Sequence, residues 1–455
     1  MYQTPHAWSA EIRIEPRSEE KSPVYNTVSE EMKADIKILS LDQCVALAFE
    51  KNPSLQIEQE KIIELENDYR IASAGFYPKV TASAYYARTN RDRVGALPNM
   101  AYTEESLGQV KVKQLLFDGG KTRYSGRAAS KAADAQRDSA EATRLDTVFA
   151  VNQAYYRVLE ARELLRVGEN SRSQREAFSK LTDSYYKAGK ATRIEALKAE
   201  AQLFDAERSL IQAREALRIS ELILKKTIGI GVTAQINIAD GLPDTFAEAG
   251  NEELLLAQMI ANNPDIKKSA QYKEQAGFSI DSAKGSYQPE ISLQGSYGYR
   301  DRDVGGSGDE WTAGVFLEWS LFEGGITRAQ VGKARARYRE IEWNDKAMHD
   351  QVQVDLSQAL GDMRTALASI RSSKRLVEAQ DEAYKAIMEF YKRGKATYIE
   401  VLTSETDLTQ AKAAYVRAVG DYQNASARLD RVVGKRYAAQ VGWAMPTKMM
   451  KQPET

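Results

Sequence analysis

The sequence predicts a mixed fold, part all-α and part membrane β-barrel, built from two tandem copies of one unit: a helix, a β-hairpin and a pair of long antiparallel coiled-coil helices. Three observations predict it. The chain repeats itself, its two hairpins alternate in polarity over strands long enough to cross a bilayer, and its helices carry heptads.

The repeat is visible residue by residue. Asn52-Pro53-Ser54 returns as Asn263-Pro264-Asp265, and Phe76-Tyr77-Pro78 as Tyr287-Gln288-Pro289. Leu116-Phe117-Asp118-Gly119-Gly120 returns as Leu321-Phe322-Glu323-Gly324-Gly325, and Lys187-Ala188-Gly189-Lys190-Ala191-Thr192 as Lys392-Arg393-Gly394-Lys395-Ala396-Thr397. The register slips once, between the proline and the Gly-Gly pair, where a hairpin tip tolerates insertion. The boundaries predicted are a disordered arm over 1–39, a first repeat over 40–230 with its hairpin at about 78–118, and a linker over 231–250 around Gly241-Leu242-Pro243-Asp244. A second repeat follows over 251–434 with its hairpin at about 289–322, then a tail over 435–455.

Both hairpins alternate with period two, the pattern of a sheet whose faces meet different surroundings. Ile291, Leu293, Tyr297 and Tyr299 share a side in copy two, and Trp311, Ala313, Val315, Leu317, Trp319 and Leu321 do so on the partner strand. Copy one sets Val80, Ala82, Ala84 and Tyr86 beside Val110 and Val112. Strands of about ten residues suit a tilted crossing, and Tyr85, Tyr86, Trp311 and Trp319 are candidates for an interfacial aromatic girdle.

The long helices read more plainly. Leu203, Leu210, Leu217 and Leu224 recur every seven residues with Ala206, Ala213 and Ser220 between them; copy two runs Leu408, Ala411, Tyr415, Ala418, Tyr422, Ala425 and Leu429. Thr122 to about Lys187 contains no proline and would extend roughly 100 Å as one helix. Gly189 and Gly394 are the points where each long helix reverses.

Composition removes several function classes. Sixty-three basic and 64 acidic residues leave a net charge of −1, with no global pull toward nucleic acid. No apolar run is long enough for a spanning helix, so a membrane crossing must use strands. The segment before residue 40 has no secretory apolar core, which for an exported chain implies a processed or truncated start. Cys44 stands alone, so no internal disulfide framework exists. Four strands cannot close a barrel, and an open edge in hydrocarbon leaves backbone groups unpaired at several kcal/mol each. Three copies would supply about twelve strands and a water-filled lumen.

The duplicated order, with Leu-Phe-Asp/Glu-Gly-Gly closing each hairpin and Tyr-x-x-Gly before the second coil helix, resembles the TolC-like outer membrane efflux proteins over about residues 40–434. The resemblance implies a homotrimer in the bacterial outer membrane, with a twelve-stranded barrel, an α-helical tunnel in the periplasm and no chemistry or cofactor of its own. Its expected partners are a periplasmic adaptor, an inner-membrane transporter and the lipid bilayer. By position, the resemblance places Gly189, Lys190, Gly394 and Lys395 at the tips presented to the adaptor. It places Glu195 and Glu400 where acidic residues line or brace the closed entrance, and matches Tyr391 to a gate tyrosine. A threefold ring of Glu400 would favour cations. The family's bracing arginine aligns with Ala396, so Arg193 or Arg393 is the substitute to test; the plain alternative is that the glutamates are solvated tip charges.

Two rival readings stand beside this one. A secreted or periplasmic coiled-coil structural protein without a pore explains the heptads but not the paired strands. An enzyme would have only His6 and His349 as histidines, and neither has a metal-ligand or triad spacing. Gly119-Gly120-Lys121-Thr122 superficially suggests a phosphate loop but has no counterpart at Gly325-Ile326-Thr327, so both Gly-Gly pairs read as strand-to-helix breaks.

Overall fold

A computed structural model describes residues 38–89, 103–239, 241–302 and 306–435. Most of the expected arm and tail, and His6, lie outside the described residues. In chain order the elements are β1 (Ile38–Leu39), α1 (Leu41–Lys51), α2 (Pro53–Ser73), β2 (Lys79–Thr89), β3 (Thr103–Phe117), α3 (Lys121–Lys187) and α4 (Arg193–Ile228). Copy two follows with β4 (Asn237–Ile238), α5 (Glu252–Asn262), α6 (Pro264–Gly285), β5 (Glu290–Arg302), β6 (Gly308–Glu318), α7 (Ile326–Lys392) and α8 (Tyr398–Val433).

The coil helices match copy to copy. α3 and α7 each have 67 residues, and α4 and α8 each have 36. A 67-residue helix spans roughly 100 Å, so the helical part is a column rather than a compact lobe. Each long helix begins behind a left-handed Gly-Gly pair, Gly119-Gly120 and Gly324-Gly325, which turns the chain from strand to helix without a Cβ penalty. In copy one the Asp118 carboxylate accepts from the backbone N–H groups of Gly120 and Thr122 at 3.0 and 2.7 Å. Those donors are the ones a phosphate would need, so the Gly-Gly-Lys-Thr run serves as a helix start.

The repeated Asn-Pro motif has a job that the sequence reading did not assign. Asn52 Oδ1 accepts from Ser54 N–H, capping α2, while its Nδ2 donates to Thr227 O at the end of α4. Asn263 does the same, accepting from Asp265 N–H and donating to Val432 O at the end of α8. One side chain thus satisfies the start of one helix and the end of another, welding α4 to α2 and α8 to α6 as stacked rods. The junction is tight: a Cβ on Gly229 would meet Lys51 O at 2.4 Å.

α3 is central, packing against α1, α2, α4, α6 and α8, whereas α7 packs against α6 and α8 with a minor contact to α5. The predicted heptad seams are internal: Ala206, Leu210, Ser220 and Leu224 of α4 are buried, as are Leu408, Ala411, Ala418, Tyr422, Ala425 and Leu429 of α8. Two apolar clusters surround the helix junctions, one holding Cys44, Phe49, Tyr155, Leu224 and Ile228, the other Met259, Leu356, Leu360, Val419 and Leu429. Residues 38–39, assigned from sequence to the arm, and 237–238, assigned to the linker, pair as parallel strands β1 and β4. The cause is burial: Leu39 and Ile238 are each 4% exposed in the first of those clusters.

The four longer strands form one antiparallel sheet in the order β2-β3-β5-β6, so the hairpins of the two copies join through β3 and β5. β6 stops at Glu318, short of Trp319 and Leu321, which the alternation predicts on the strand; the Trp319 indole instead donates to Tyr287 O at 3.2 Å.

Candidate functional site

Residues directly opposite in an antiparallel pair share a face, so the strand register sorts the sheet into two surfaces. Val80 lies opposite Val112, Val110 opposite Tyr297, Tyr297 opposite Trp311 and Leu293 opposite Val315. All of these are large, apolar or aromatic, and 40% or more exposed. A continuous apolar face open to its surroundings is a surface made for lipid.

The other face is polar. It carries Thr81, Ser83, Lys111, Gln109, Gln294 and Ser296, with a charged group toward the hairpin tips. There Arg300 reaches Glu105 at 2.7 Å and Glu310 at 2.6 Å, Arg302 approaches Glu105 at 3.4 Å, and the Tyr85 hydroxyl donates to Glu105 at 3.0 Å. Tyr85 therefore does not join Tyr86 in an outer girdle, because neighbours along a strand point to opposite faces. The sheet has two free edges, β2 and β6, among the described residues. With an apolar face in lipid, those edges require partners.

At the far end of the column, Gly189 and Gly394 take left-handed conformations that close the two helical reversals. Thr192 and Glu195 form a capping box: the Glu195 carboxylate accepts from Thr192 N–H at 2.7 Å, and Thr192 Oγ1 accepts from Glu195 N–H at 3.2 Å. Thr397 and Glu400 repeat it at 2.6 and 3.3 Å. The Thr397 backbone N–H and hydroxyl hold the exposed Glu400 carboxyl below the usual carboxylate range.

The family described as Outer membrane efflux protein matches residues 45–230 and 255–435, one match per repeat. The chain belongs to the outer membrane efflux protein family. It is similar to the outer membrane efflux protein BepC of Brucella suis, at 24% identity over 408 residues covering 89% of this chain and 87% of that protein. It is also similar to nodulation protein T of Rhizobium leguminosarum bv. trifolii, at 27% identity covering 87% and 86%. Among solved structures it resembles VceC of Vibrio cholerae (TM-score 0.75, 20% identity, 87% of this chain and 96% of that one). The CmeC channel of Campylobacter jejuni gives a TM-score of 0.77 at 18% identity, covering 87% and 85%. This efflux protein is thus an outer-membrane exit duct of a tripartite system and not an enzyme. It works as a trimer with a periplasmic adaptor and an inner-membrane transporter, its helical part in the periplasm.

In the efflux protein's protomer the predicted entrance residues separate into two groups. Lys190, Arg193, Glu195, Gly394, Lys395 and Glu400 are at the exposed tips or close beside them. Tyr391 is instead 8% exposed, packed on Phe178 and Tyr185 of α3 with ring centroids 5.3 and 5.9 Å away. Burial raises its hydroxyl pKa, opposed by a hydrogen bond with Thr182. Among the described residues no ion pair joins Arg193 or Arg393 to Glu195 or Glu400.

Sequence reasoning missed the group just above. Glu405 of α8, 4% exposed, accepts from Arg175 Nε at 2.9 Å and from Ser171 Oγ at 2.7 Å, both on α3. Gln202 of α4 accepts a further bond from Arg175 at 2.9 Å. Tyr398 stacks on Phe178 at 5.6 Å. Together these clasp the helical hairpin of copy two to that of copy one. The spacing of Arg175 and Glu405, 230 residues apart, offers no local signal.

Proposed function

We propose that the duct is gated at the periplasmic tips, with Glu195, Glu400, Tyr391 and Arg193 at the constriction and Gly189, Lys190, Gly394 and Lys395 presented to the adaptor. The observation that carries the reading is the pairing of one lipid-ready sheet, free at both edges, with a roughly 100 Å helical column ending in two charged turns. In a trimer each tip residue appears three times around one axis. Three exposed Glu400 carboxylates then concentrate negative field at a narrow place, which favours cations. Glu195 and Glu400 also hold their helix starts, so charge and structure must be separated in the test. Glu400→Gln keeps the capping geometry and removes the charge. Purified trimers in a planar bilayer should conduct, and Glu400→Gln should lower the cation-to-anion permeability ratio. Unchanged selectivity would leave Glu400 as a cap alone.

Tyr391 contributes by position within this gate, since its ring holds α7 against α3. Substitution to Phe retains the packing and removes only the hydroxyl. A pore that closes normally in that variant assigns the residue's part to packing.

A further inference from the structure

The chain leaves its two coil hairpins in the same way. α4 ends at left-handed Gly229, with Ile230 N–H donating to Lys225 O at 3.1 Å, and α8 ends at left-handed Gly434, with Lys435 N–H donating to Asp430 O at 3.0 Å. The two ends are 205 positions apart (Gly229 to Gly434), and the sequence keeps that step beyond them. Ala234-Gln235-Ile236-Asn237-Ile238-Ala239 returns as Ala439-Gln440-Val441-Gly442-Trp443-Ala444. The repeat therefore runs past residue 434 into the stretch assigned to the tail.

In copy one this stretch folds back on the helices it has just left. Ile238 belongs to the cluster that holds Cys44, Leu224 and Ile228, Ile230 and Ile236 pack against it, and those first three side chains are each 0% exposed. Asn237-Ile238 pairs with Ile38-Leu39 just ahead of α1, and Ala239 N–H donates to Leu39 O at 3.3 Å.

Copy two has the same bed without that cover among the described residues. A groove of about 570 Å³ lies between α5 and the end of α8, lined by Leu255, Leu429 and Val433, with Gln258, Asn262 and Lys435 at its polar rim. A step of 211 positions (Asn52 to Asn263) relates α1 to α5, so the apolar lining corresponds to Cys44, Leu224 and Ile228. Leu255 is only half-buried, and Ile260 is 46% exposed where its counterpart Phe49 is 5% exposed. Because Lys435 lines the groove, the chain that continues from it starts at the groove's mouth.

We infer that residues 436–444 occupy this groove as residues 231–239 cover its copy-one counterpart, with Gly442-Trp443 running parallel to Ala249-Gly250 ahead of α5. The side-chain sizes support the pairing. Leu39 opposite Ile238 becomes Gly250 opposite Trp443, so one indole takes the room that two branched side chains share in copy one. A Cβ on Gly250 would meet Leu255 Cδ1 at 3.8 Å, which puts this position beside the groove's lining. Val441 and Trp443 leave water there together with Leu255. The inference goes beyond the gated duct, since the groove is at the helix junction and not at the tips.

Paired cysteines in a full-length Cys44→Ala background test it. Ile38→Cys with Asn237→Cys, a pair in register, sets the extent of disulfide closure under mild oxidation. Ala249→Cys with Gly442→Cys should close to the same extent within one chain, read by peptide mass spectrometry, and Ala249→Cys with Lys451→Cys should stay reduced. In the otherwise native chain, Trp443→Asp should speed amide exchange along α5 about tenfold and leave α1 unchanged. The inference is overturned if the copy-one pair closes while Ala249→Cys with Gly442→Cys stays reduced, or if that disulfide joins two chains, which gives the groove to a second copy. It is equally overturned if Lys451→Cys closes as well as Gly442→Cys, or if Trp443→Asp leaves α5 exchanging as in the wild type. Neither readout requires a conducting pore, so failure of the gated-duct reading is seen separately.

Discussion

α3 and α7 have equal length, equal register within their repeats and the same left-handed glycines ahead of them, yet they live in different surroundings. α3 is enclosed by five helices and buries Val148, Val151, Tyr155, Val158 and Leu159, with Arg175 held between Glu405 and Gln202. α7 has one flank bare, exposing Trp343, Val354, Leu376 and Phe390. The same contrast holds for their partners, since α8 buries Leu408, Ala411, Ala418, Tyr422, Ala425 and Leu429 of its heptad seam, with Tyr415 half-buried, while α4 leaves Phe204, Ile211 and Ile219 exposed. A duplicated unit thus became two different parts: copy one's long helix is the protomer's spine, and copy two's keeps an apolar flank uncovered within the chain.

The largest expected effect breaks that contrast at the clasp. Glu405→Ala strands the Arg175 guanidinium and Ser171 inside the helix packing, and removal of one member of a buried pair costs about 3–5 kcal/mol. The equivalent change in copy one, Glu200→Ala, removes an exposed carboxylate and should leave the thermal unfolding of the helical circular-dichroism signal within experimental scatter. Equal destabilisation by the two would mean that the repeats are interchangeable after all.

Next in size is the contrast between the faces of the sheet. Val315→Arg puts a charge on the apolar face and should cost about 2–4 kcal/mol per chain if that position lies near the bilayer midplane. Thr312→Arg, three residues away and on the polar face beside Ser296, should fold with little loss. Refolding yield of heat-modifiable trimers in lipid measures both, and a Val315→Arg protein that assembles as well as Thr312→Arg would remove this face from lipid.

Much of this division was legible in the sequence, and the illegible part has one cause. Helix lengths, reversals at Gly189 and Gly394, and strand alternation are local periodicities, so residue spacing alone carries them. The Thr192-x-x-Glu195 and Thr397-x-x-Glu400 boxes are equally local, each a Thr with a Glu three residues on at a helix start. Tyr85 departs from the expected girdle because parity along the strand, not aromatic character, decides its face, and it is the neighbour of Tyr86. The clasp is different. Arg175, Glu405, Phe178 and Tyr398 meet only because two helices more than 200 residues apart in sequence lie side by side, and no spacing rule encodes that.

A smaller effect sharpens the comparison at the two helix welds. Asn52→Ala and Asn263→Ala each lose a cap and a bond to the neighbouring helix end, and each should cost about 1–2 kcal/mol. Beside the second weld the copies part company, because Asp265 bonds Arg431 at 3.1 Å while its counterpart is Ser54. Burial would raise the Asp265 carboxyl, but Arg431 and Lys268 outweigh it and hold the group below its ordinary value of 3.8. A depressed folded pKa gives stability that is complete above the unfolded value and is lost as pH falls through the folded one. Acid below that ordinary value should therefore loosen the copy-two weld first, and Asp265→Asn should flatten this part of the pH dependence in hydrogen exchange at the end of α8.

The smallest effect asks what the tip glutamates contribute as structure. Glu400 is exposed, and its bonds to the Thr397 backbone N–H and hydroxyl depress its pKa, so its contribution also fades as pH falls through a value below the ordinary 4.5. Glu400→Ala removes both the charge and the acceptor for the Thr397 N–H and should fray the start of α8, seen as faster amide exchange at Thr397. Glu400→Gln can still accept from Thr397 N–H and should exchange as the wild type does. The same pair at Glu195 should behave alike, because the two boxes are geometrically the same. If fraying at the copy-two tip alone changed conductance, the two turns would differ in function despite identical caps, and the gate would belong to the copy-two hairpin.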